Sequence, residues 1–305
     1  MKKFIVKATV FSAVIIALNY YFFTIAVQQP VDEFYLRFTG PKATSMIIGS
    51  SRAAQALNPD WAFNGLDAGT NPMNFSFTQA HSPFGEVYNH AIFKKLDSSV
   101  KNGIFIVEVN PLSFTVKRNA SPDSLFPEQH SFLGQLYTFN GSVNAEYLLK
   151  SYKKPLYRIF SDKKESALLL HSNGWLEVKF NRDSLKLKKR IILAEKEHRE
   201  HVFPEATISD ERLQSFEELI AGLKKQGTVV LTRLPLSSEM YELEKEFWPD
   251  FDRKMEETGE KNGITYLNFT NENNRFLTID GSHLDRTSSQ MVCAEINRFL
   301  GNNPR

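Results

Sequence analysis

One serine of the sequence lies in a setting that could make it a nucleophile. The stretch from Ser45 to Leu57 predicts a short apolar strand, a Gly-Ser-Ser turn and the start of a helix. Gly49 allows the sharp turn because it has no Cβ. Ser51 would begin the helix, close to unpaired backbone N–H groups and a partial positive charge. A serine at a helix start is often only an N-cap, so this stretch alone leaves both roles open.

A second stretch, Asp280-Gly-Ser-His283, could supply a general base. A carboxylate three residues before a histidine can turn back in a short loop and accept the Nδ1 proton, which leaves Nε2 free to take a proton from a hydroxyl. The spacing alone is common, since Glu195 and His198 share it in a charged helical run that predicts a solvated pair. Asp280 and His283 differ because they follow the last predicted strand and precede the last predicted helix.

The elements around these two stretches predict how they meet. Strands that alternate with helices indicate an α/β fold, here a three-layer α/β/α sandwich around a central parallel sheet of about five strands. The carboxyl ends of parallel strands share one edge of a sheet, where open α/β sheets bind ligands. Ser51 and the loop before the last helix should therefore lie at that edge. The predicted strands are Ser45–Gly49, Gly65–Gly69, Gly103–Val109, Thr228–Thr232 and Ile264–Asn268.

The N-terminus predicts a membrane anchor. Ala8–Val27 carries no charge and just reaches the length of a helix that crosses a bilayer. Three lysines precede it and two acidic residues follow it, so the positive-inside rule predicts a cytoplasmic N-terminus and an extracytoplasmic, periplasmic body. A cleaved signal peptide is the alternative, although its apolar core would normally be shorter.

Shifts in composition predict the domain boundaries. We expect a cytoplasmic stub and transmembrane anchor at residues 1–27, a stalk at 28–43, and the α/β domain at 44–305. Within that domain the alternation lapses at about 112–209, which is too long for a loop. We predict a mostly helical insertion there, packed over the carboxyl edge of the sheet. Its lysines and arginines could contact an anionic polymer or lipid headgroups, but a solvated helical face is the simpler interpretation.

The composition excludes some kinds of site. With 305 residues, of which 42% are hydrophobic, the chain is long enough for a large α/β domain with its own core. Its single cysteine, Cys293, rules out an intrachain disulfide and a cysteine-based zinc site. The net charge of +2 favours neither an acidic nor a basic partner. We expect no metal, no cofactor and no nucleic-acid partner.

The order of the two motifs on an α/β pattern resembles the SGNH (GDSL-type) hydrolase superfamily, and in particular its membrane-anchored envelope branch of esterases and O-acyltransferases. The resemblance extends over about residues 44–300 and implies a flavodoxin-like sheet. Gly49-Ser50-Ser51 matches the family's Gly-Asp-Ser motif, with serine in place of its aspartate. In this comparison Ser51 is the nucleophile, His283 is the base, and Asp280 orients the imidazole.

The resemblance also implies an oxyanion hole, the set of donors that stabilises a tetrahedral oxyanion. Its donors would be the Ser51 N–H, the N–H of Gly69 and the side-chain amide of Asn110, which match the family's motifs by position. The family's third motif has a glycine two residues before its asparagine, whereas this chain has Glu108 there. Arg52, next to the nucleophile, could bind an anionic substrate group, although a surface role at a helix start is more common.

The resemblance implies a membrane-tethered, extracytoplasmic serine esterase or O-acyltransferase that acts through an acyl-Ser51 intermediate. Its substrate would be a cell-envelope polysaccharide or glycoconjugate, and such proteins often work beside a multi-spanning membrane acyltransferase. Two other interpretations stay open. One is a catalytically silent binding or scaffold subunit of an envelope-polymer assembly complex, and the other is an anchored lipase or thioesterase.

Overall fold

A five-stranded parallel sheet forms the centre of the computed structural model, which describes residues 1–26, 31–121, 125–155, 167–180 and 184–303. The strands in chain order are β1 (Ser45–Ile48), β2 (Pro72–Asn74), β3 (Gly103–Glu108), β4 (Thr115–Lys117), β5 (Leu168–Leu170), β6 (Leu176–Val178), β7 (Ala206–Ile208), β8 (Gly227–Arg233) and β9 (Thr265–Asn268). The central sheet has the order β2-β1-β3-β8-β9, while β4 with β7 and β5 with β6 form antiparallel ribbons. The predicted α/β fold with five central parallel strands is confirmed.

Helices cover both faces of this sheet. Helices α4, α9 and α11 pack on one face and α2, α3 and α12 on the other, which makes the three predicted layers. The helices are α1 (Lys2–Ala26), α2 (Ser51–Ala56), α3 (Pro59–Ala62), α4 (Glu86–Lys95), α5 (Phe132–Gln135), α6 (Ala145–Lys150), α7 (Ser184–Glu197), α8 (Phe203–Glu205), α9 (Asp210–Lys224), α10 (Ser238–Phe247), α11 (Phe251–Asn262) and α12 (Arg286–Asn302). A π-helical turn, His198–Val202, continues α7.

The apolar strands explain why both faces are covered. Successive residues of a strand point to opposite faces, and Ile47 and Ile48 of β1 belong to the two different core clusters. Ile106 and Val107 of β3 divide in the same way. Since all these side chains are fully buried, a continuous apolar run is what each central strand requires.

The second strand lies later in the chain than the sequence predicted. Parallel pairing matches Ser45 with Pro72 and Ile47 with Asn74, so β2 is Pro72–Asn74 and not Gly65–Gly69. Gly69 instead forms a turn with φ of +76° against the side chain of Thr44, just before β1. A proline at the start of β2 is tolerated because β2 is an edge strand with one unpaired side.

Residues 31–43, predicted to be part of a stalk, pack against the α/β body. Tyr35, Arg37 and Phe38 are fully buried. The Phe38 ring stacks on Tyr147 with ring centroids 5.3 Å apart, and Arg37 Nε donates to the Asn74 carbonyl at 3.2 Å. The aromatic side chains supply apolar area that a solvated stalk would leave in water. The remaining stalk residues, 28–30, lie outside the described residues, as does residue 27 of the predicted anchor.

Helix α1 is long and apolar enough to cross a membrane, with its candidate span at Lys2–Tyr21. Its 25 residues make a helix about 37 Å long, which exceeds the ~30 Å of a bilayer's hydrocarbon core. Residues 2–21 make no buried contact with the body. An N-terminal signal sequence has the same features.

The insertion at 112–209 is closed at its base by a short ribbon. Strands β4 and β7 pair antiparallel, with Thr115 opposite Ile208, and so bring the two ends of the insertion together. Its described part consists of short helices, the longer helix α7 and the β5–β6 ribbon. The π-helical turn after α7 and the β5–β6 ribbon both reach the region around α2, where the candidate site lies.

Candidate active site

Three side chains from two distant loops form a hydrogen-bonded line at the carboxyl edge of the sheet. Ser51 Oγ lies 2.9 Å from His283 Nε2, although the two residues are 232 positions apart in the chain. On the other side of the imidazole, Asp280 Oδ2 lies 2.8 Å from Nδ1. All three residues are half-buried. The structure thus brings together the three residues that the sequence predicted as nucleophile, base and acid.

The turn before Ser51 depends on a glycine. Gly49 has φ of +155°, and a Cβ at this position would lie 2.6 Å from Glu108 Oε2. The side chain of Ser50 caps α2, because its Oγ accepts a hydrogen bond from the Arg52 N–H at 3.2 Å. Ser51 is therefore the first residue of α2, a position where backbone N–H groups have no acceptor within the helix.

A buried glutamate that the sequence analysis missed supports this turn. Glu108 is fully buried at the end of β3. Its Oε2 accepts hydrogen bonds from Ser50 N at 2.8 Å and Ser50 Oγ at 2.9 Å, and its Oε1 accepts one from Asn110 Nδ2 at 2.8 Å. A buried carboxylate requires such donors. The available signal was one acidic residue at the end of an otherwise apolar strand.

The loop that carries Asp280 and His283 is held by its own backbone. Asp280 Oδ1 accepts hydrogen bonds from the N–H groups of Ser282 and His283 at 3.0 and 2.9 Å. Gly281 has φ of +93°, a conformation that favours glycine, and its carbonyl accepts a bond from Ser237 N at 2.9 Å. These contacts fix the direction of the carboxylate towards the imidazole.

The Asp280 carboxyl is ionised at neutral pH. Burial acts to raise its pKa, but the hydrogen bond from the His283 ring, the charge of that ring and the two backbone N–H groups outweigh it and lower the pKa to about 2. A carboxylate can only accept, so Nδ1 of His283 carries the proton of their hydrogen bond. In this tautomer Nε2, 2.9 Å from Ser51 Oγ, is the ring nitrogen that can take the proton of the Ser51 hydroxyl, which is the arrangement a general base needs.

Gly69 is not an oxyanion donor, and this prediction is wrong. It lies against Thr44 at the amino edge of the sheet, opposite the edge that carries Ser51. The error follows from the position of the second strand, since the predicted strand ended at Gly69 whereas β2 begins at Pro72.

Asn110 lies at the correct edge but has other partners. Its Nδ2 donates to Ser50 Oγ at 3.2 Å and to Glu108 Oε1 at 2.8 Å. Its Oδ1 accepts from Ser113 N at 3.2 Å. An amide nitrogen has two hydrogens, so both are used within the nucleophile turn. In this structure Asn110 braces Ser50, and it could serve an oxyanion only by giving up one of these bonds.

The loop after β2, residues 75–82, is the segment that adjoins the nucleophile turn. Gly49 O accepts hydrogen bonds from Phe77 N at 3.3 Å and from Ser82 Oγ at 2.9 Å. The buried Tyr88 hydroxyl accepts from Gly49 N at 3.1 Å and donates to Phe75 O at 2.7 Å, which ties loop and turn together. Helix α4 follows this loop and begins at Glu86.

Arg52 points into the protein and does not line the open site, so the prediction of an anion-binding role is wrong. Its Nη2 lies 2.6 Å from Glu244 Oε1, and its side chain is only 7% exposed. Glu244 also pairs with Arg233 at 3.0 Å. Burial opposes ionisation of Glu244, but the charges of the two arginines outweigh it and lower its pKa. The Arg52–Glu244 pair holds α2, and with it Ser51, against α10.

The insertion covers one flank of the site. His198, in the π-helical turn, donates from Nδ1 to Ala194 O at 2.8 Å, and its pKa is lowered by burial and by the charge of Arg52. It is half-buried and does not form the predicted solvated pair, because Glu195 pairs with Arg199 at 3.3 Å. Ile191 of α7 approaches Gly281 of the catalytic loop, where a Cβ would lie 3.8 Å from its methyl group.

An open groove of about 550 Å³ borders loop 75–82. Its walls include Gln79, Leu112, Val116 and His201, so it runs between loop 75–82 and the π-helical turn. Its floor contains the buried ion pair of Arg212 with Glu128 at 2.9 Å. The lining of the groove is largely apolar and also includes charged side chains, which suits an amphipathic ligand.

No protein-family model matches the chain, and no curated protein matches it. The strongest features of the site are the two short hydrogen bonds of His283 and the ionised Asp280 behind it.

Proposed function

We propose that the chain is a membrane-anchored serine esterase or O-acyltransferase, related to the SGNH hydrolases, that acts on a cell-envelope polysaccharide or glycoconjugate. The observation that carries the proposal is the line from Ser51 Oγ through His283 to Asp280, with distances of 2.9 and 2.8 Å. The apolar helix α1 supports membrane anchoring. The lysines before it and the acidic residues after it support a cytoplasmic N-terminus and a periplasmic body.

In the first half-reaction His283 Nε2 takes the proton of the Ser51 hydroxyl as Oγ attacks the acyl carbonyl carbon. The ionised Asp280 stabilises the imidazolium that forms. The Ser51 N–H at the start of α2 is a donor for the resulting oxyanion, and such donors are worth about 3–4 kcal/mol in a transition state. The imidazolium then gives its proton to the leaving alcohol, which leaves an acyl ester on Ser51.

The second half-reaction repeats these steps with a new hydroxyl. His283 deprotonates the acceptor, which attacks the acyl-Ser51 ester, and the proton returns to Ser51 Oγ. Water as acceptor gives an esterase, whereas a sugar hydroxyl gives an O-acyltransferase. The groove beside loop 75–82 is the proposed site for the larger substrate, because it borders the loop that holds the nucleophile turn. A multi-spanning membrane acyltransferase is the proposed acyl donor or partner.

The second candidate is a catalytically silent scaffold subunit. One observation favours it: both hydrogens of the Asn110 amide are engaged by Ser50 and Glu108, so the oxyanion hole lacks the side-chain donor that the family resemblance implies. The two candidates differ in one measurable property, the reactivity of Ser51.

Fluorophosphonate labelling of the full-length protein in detergent tests the proposal. We expect a covalent adduct on Ser51, located by peptide mass spectrometry and absent from Ser51→Ala. Ser238→Ala is the control, since Ser238 is likewise the first residue of a helix and is more exposed than Ser51. An intact protein without an adduct on Ser51 would favour the scaffold. A product assay then distinguishes the two activities. An esterase releases the acyl group as free acid, whereas an O-acyltransferase transfers it to a sugar acceptor.

A further inference from the structure

The chain enters the folded body at the same edge of the sheet as the candidate active site. From Ala26, the end of α1, to Val31 there are five residue steps, which span at most about 18 Å. Val31 is already buried in the core. The ring of Phe34 then packs on His81 with centroids 5.2 Å apart. His81 belongs to loop 75–82, which is bonded to Gly49 at the carboxyl edge. A bilayer that holds α1 would therefore lie near this edge.

Helix α7 lies at this edge too and has two different faces. Its inner face, with Ile191 and Ala194, packs against the catalytic loop and the core around Met240. Its outer face exposes Ile192 and Leu193, whose side chains are 62% and 56% accessible. Single exposed apolar residues are ordinary, but two large adjacent ones on a helix that already buries its inner side call for an explanation.

The charges around these apolar residues are basic. Lys188, Lys189 and Arg190 are exposed in the turn before Ile192, and within the part of the chain that the structure describes they form no ion pair. No acidic residue occurs between Ser184 and Ala194. A helix face that combines lysine and arginine with large apolar side chains is typical of helices that lie in the headgroup region of an anionic membrane.

We propose that the outer face of α7 rests on anionic lipid headgroups of the membrane that holds α1, so that the carboxyl edge of the sheet and the Ser51 site face the bilayer. Ile192 and Leu193 insert at the acyl boundary, while Lys188, Lys189 and Arg190 bind the phosphate groups. The inference rests on the membrane insertion of α1 proposed above and is independent of the chemistry of the triad. It predicts that substrate reaches Ser51 from the membrane side.

A fluorescent probe on the outer face of α7 tests this proposal. The full-length protein carrying Ile192→Cys is labelled with an environment-sensitive fluorophore and reconstituted into nanodiscs of phosphatidylcholine, with or without phosphatidylglycerol. Cys293 is fully buried and should remain unlabelled in the folded protein. We expect a blue shift and quenching by brominated lipid in the anionic nanodiscs, reduced by high salt. Lys225→Cys, exposed at the amino edge before β8, is the control and should stay in water.

Charge reversal separates the lipid contact from general crowding near the disc. Lys188→Glu with Lys189→Glu should abolish the difference between the two lipid compositions. Lys42→Glu with Lys225→Glu, two exposed lysines at the amino edge, should leave it unchanged.

A probe at residue 192 that stays in water on anionic nanodiscs would overturn the lipid proposal. The outer face of α7 would then be assigned to contact with a protein partner. Failure of α1 to insert would appear separately, as protein that does not copurify with the nanodiscs. That result would overturn both the anchor and this inference, whereas fluorophosphonate labelling would still report on the triad.

Discussion

Replacement of Glu108 by glutamine tests whether a buried carboxylate positions the nucleophile. Glu108 accepts two hydrogen bonds from Ser50 and one from Asn110, all at 2.8–2.9 Å. Glutamine keeps the shape but turns an NH₂ group towards one of these donors. A buried donor without an acceptor costs about 1–3 kcal/mol, and bonds to a neutral acceptor are weaker than bonds to a carboxylate by roughly 1 kcal/mol each.

We therefore expect Glu108→Gln to lower the free energy of unfolding by about 3–5 kcal/mol. The turn at Ser50 should also shift. Because a displacement of about 1 Å can cost 10²-fold in rate, fluorophosphonate labelling of Ser51 should slow by roughly 10- to 100-fold. Urea unfolding measures the first effect. The initial rate of adduct formation, taken well below the unfolding midpoint, measures the second.

Lys95→Met is the matched control for loss of a buried polar group. Lys95 is fully buried near the amino edge of the sheet, where its Nζ donates to the carbonyls of Thr39 and Phe139 at 2.7 and 2.9 Å. This variant should lose stability but label at the wild-type rate while folded. If Glu108→Gln behaved in the same way, Glu108 would stabilise the fold without positioning Ser51, and the reasoning would be refuted.

Three further predictions follow from the site and the core. Asp280→Asn removes the acceptor that fixes the His283 tautomer and should slow labelling of Ser51 by about 10³–10⁴-fold. Since the pKa of Asp280 falls from 3.8 to about 2 on folding, its ionised form stabilises the protein above about pH 4, and this contribution is lost as the pH falls towards 2. In urea titrations, the free energy of unfolding of Asp280→Asn should therefore fall less than that of wild type as the pH is lowered over that range. Burial raises the pKa of the Cys293 thiol to about 12, so iodoacetamide should modify it only after unfolding, as intact mass would show.

The fold was predictable where strands are fully buried. Continuous apolar runs such as Met46–Ile48 and Gly103–Val107 require cover on both faces, so their pattern indicates a parallel sheet. The edge strand was not predictable in the same way. Pro72–Asn74 is short, begins with proline and has no apolar run, and its place in the sheet is set by pairing with β1. A strand without an apolar pattern specifies its register only weakly.

The positions of the triad residues could be predicted from local sequence, whereas the oxyanion donors could not. Ser51 and the Asp280–His283 loop each follow from a local turn and need only a common sheet edge to meet. The position of a backbone oxyanion donor depends on the residue at which its strand ends. Because the second strand was predicted too early in the chain, Gly69 was assigned to the carboxyl edge, whereas it lies at the amino edge. The anion-binding role predicted for Arg52 failed because its partner is Glu244. That residue lies 192 positions away in the chain, so the sequence around Arg52 could not indicate the ion pair.

Under the proposed relation to the SGNH hydrolases, two residues depart from the family's motifs, and these two residues contact each other in the structure. Ser50 stands where the first motif has an aspartate, and Glu108 stands where the third motif has a glycine. The two side chains contact each other, since Ser50 Oγ donates to Glu108 Oε2 at 2.9 Å. A carboxylate at both positions would place two like charges in one buried site, which is strongly unfavourable. The acid at the nucleophile turn has thus been supplied by β3, and the serine at position 50 gives it a hydrogen-bond donor in place of a second carboxylate.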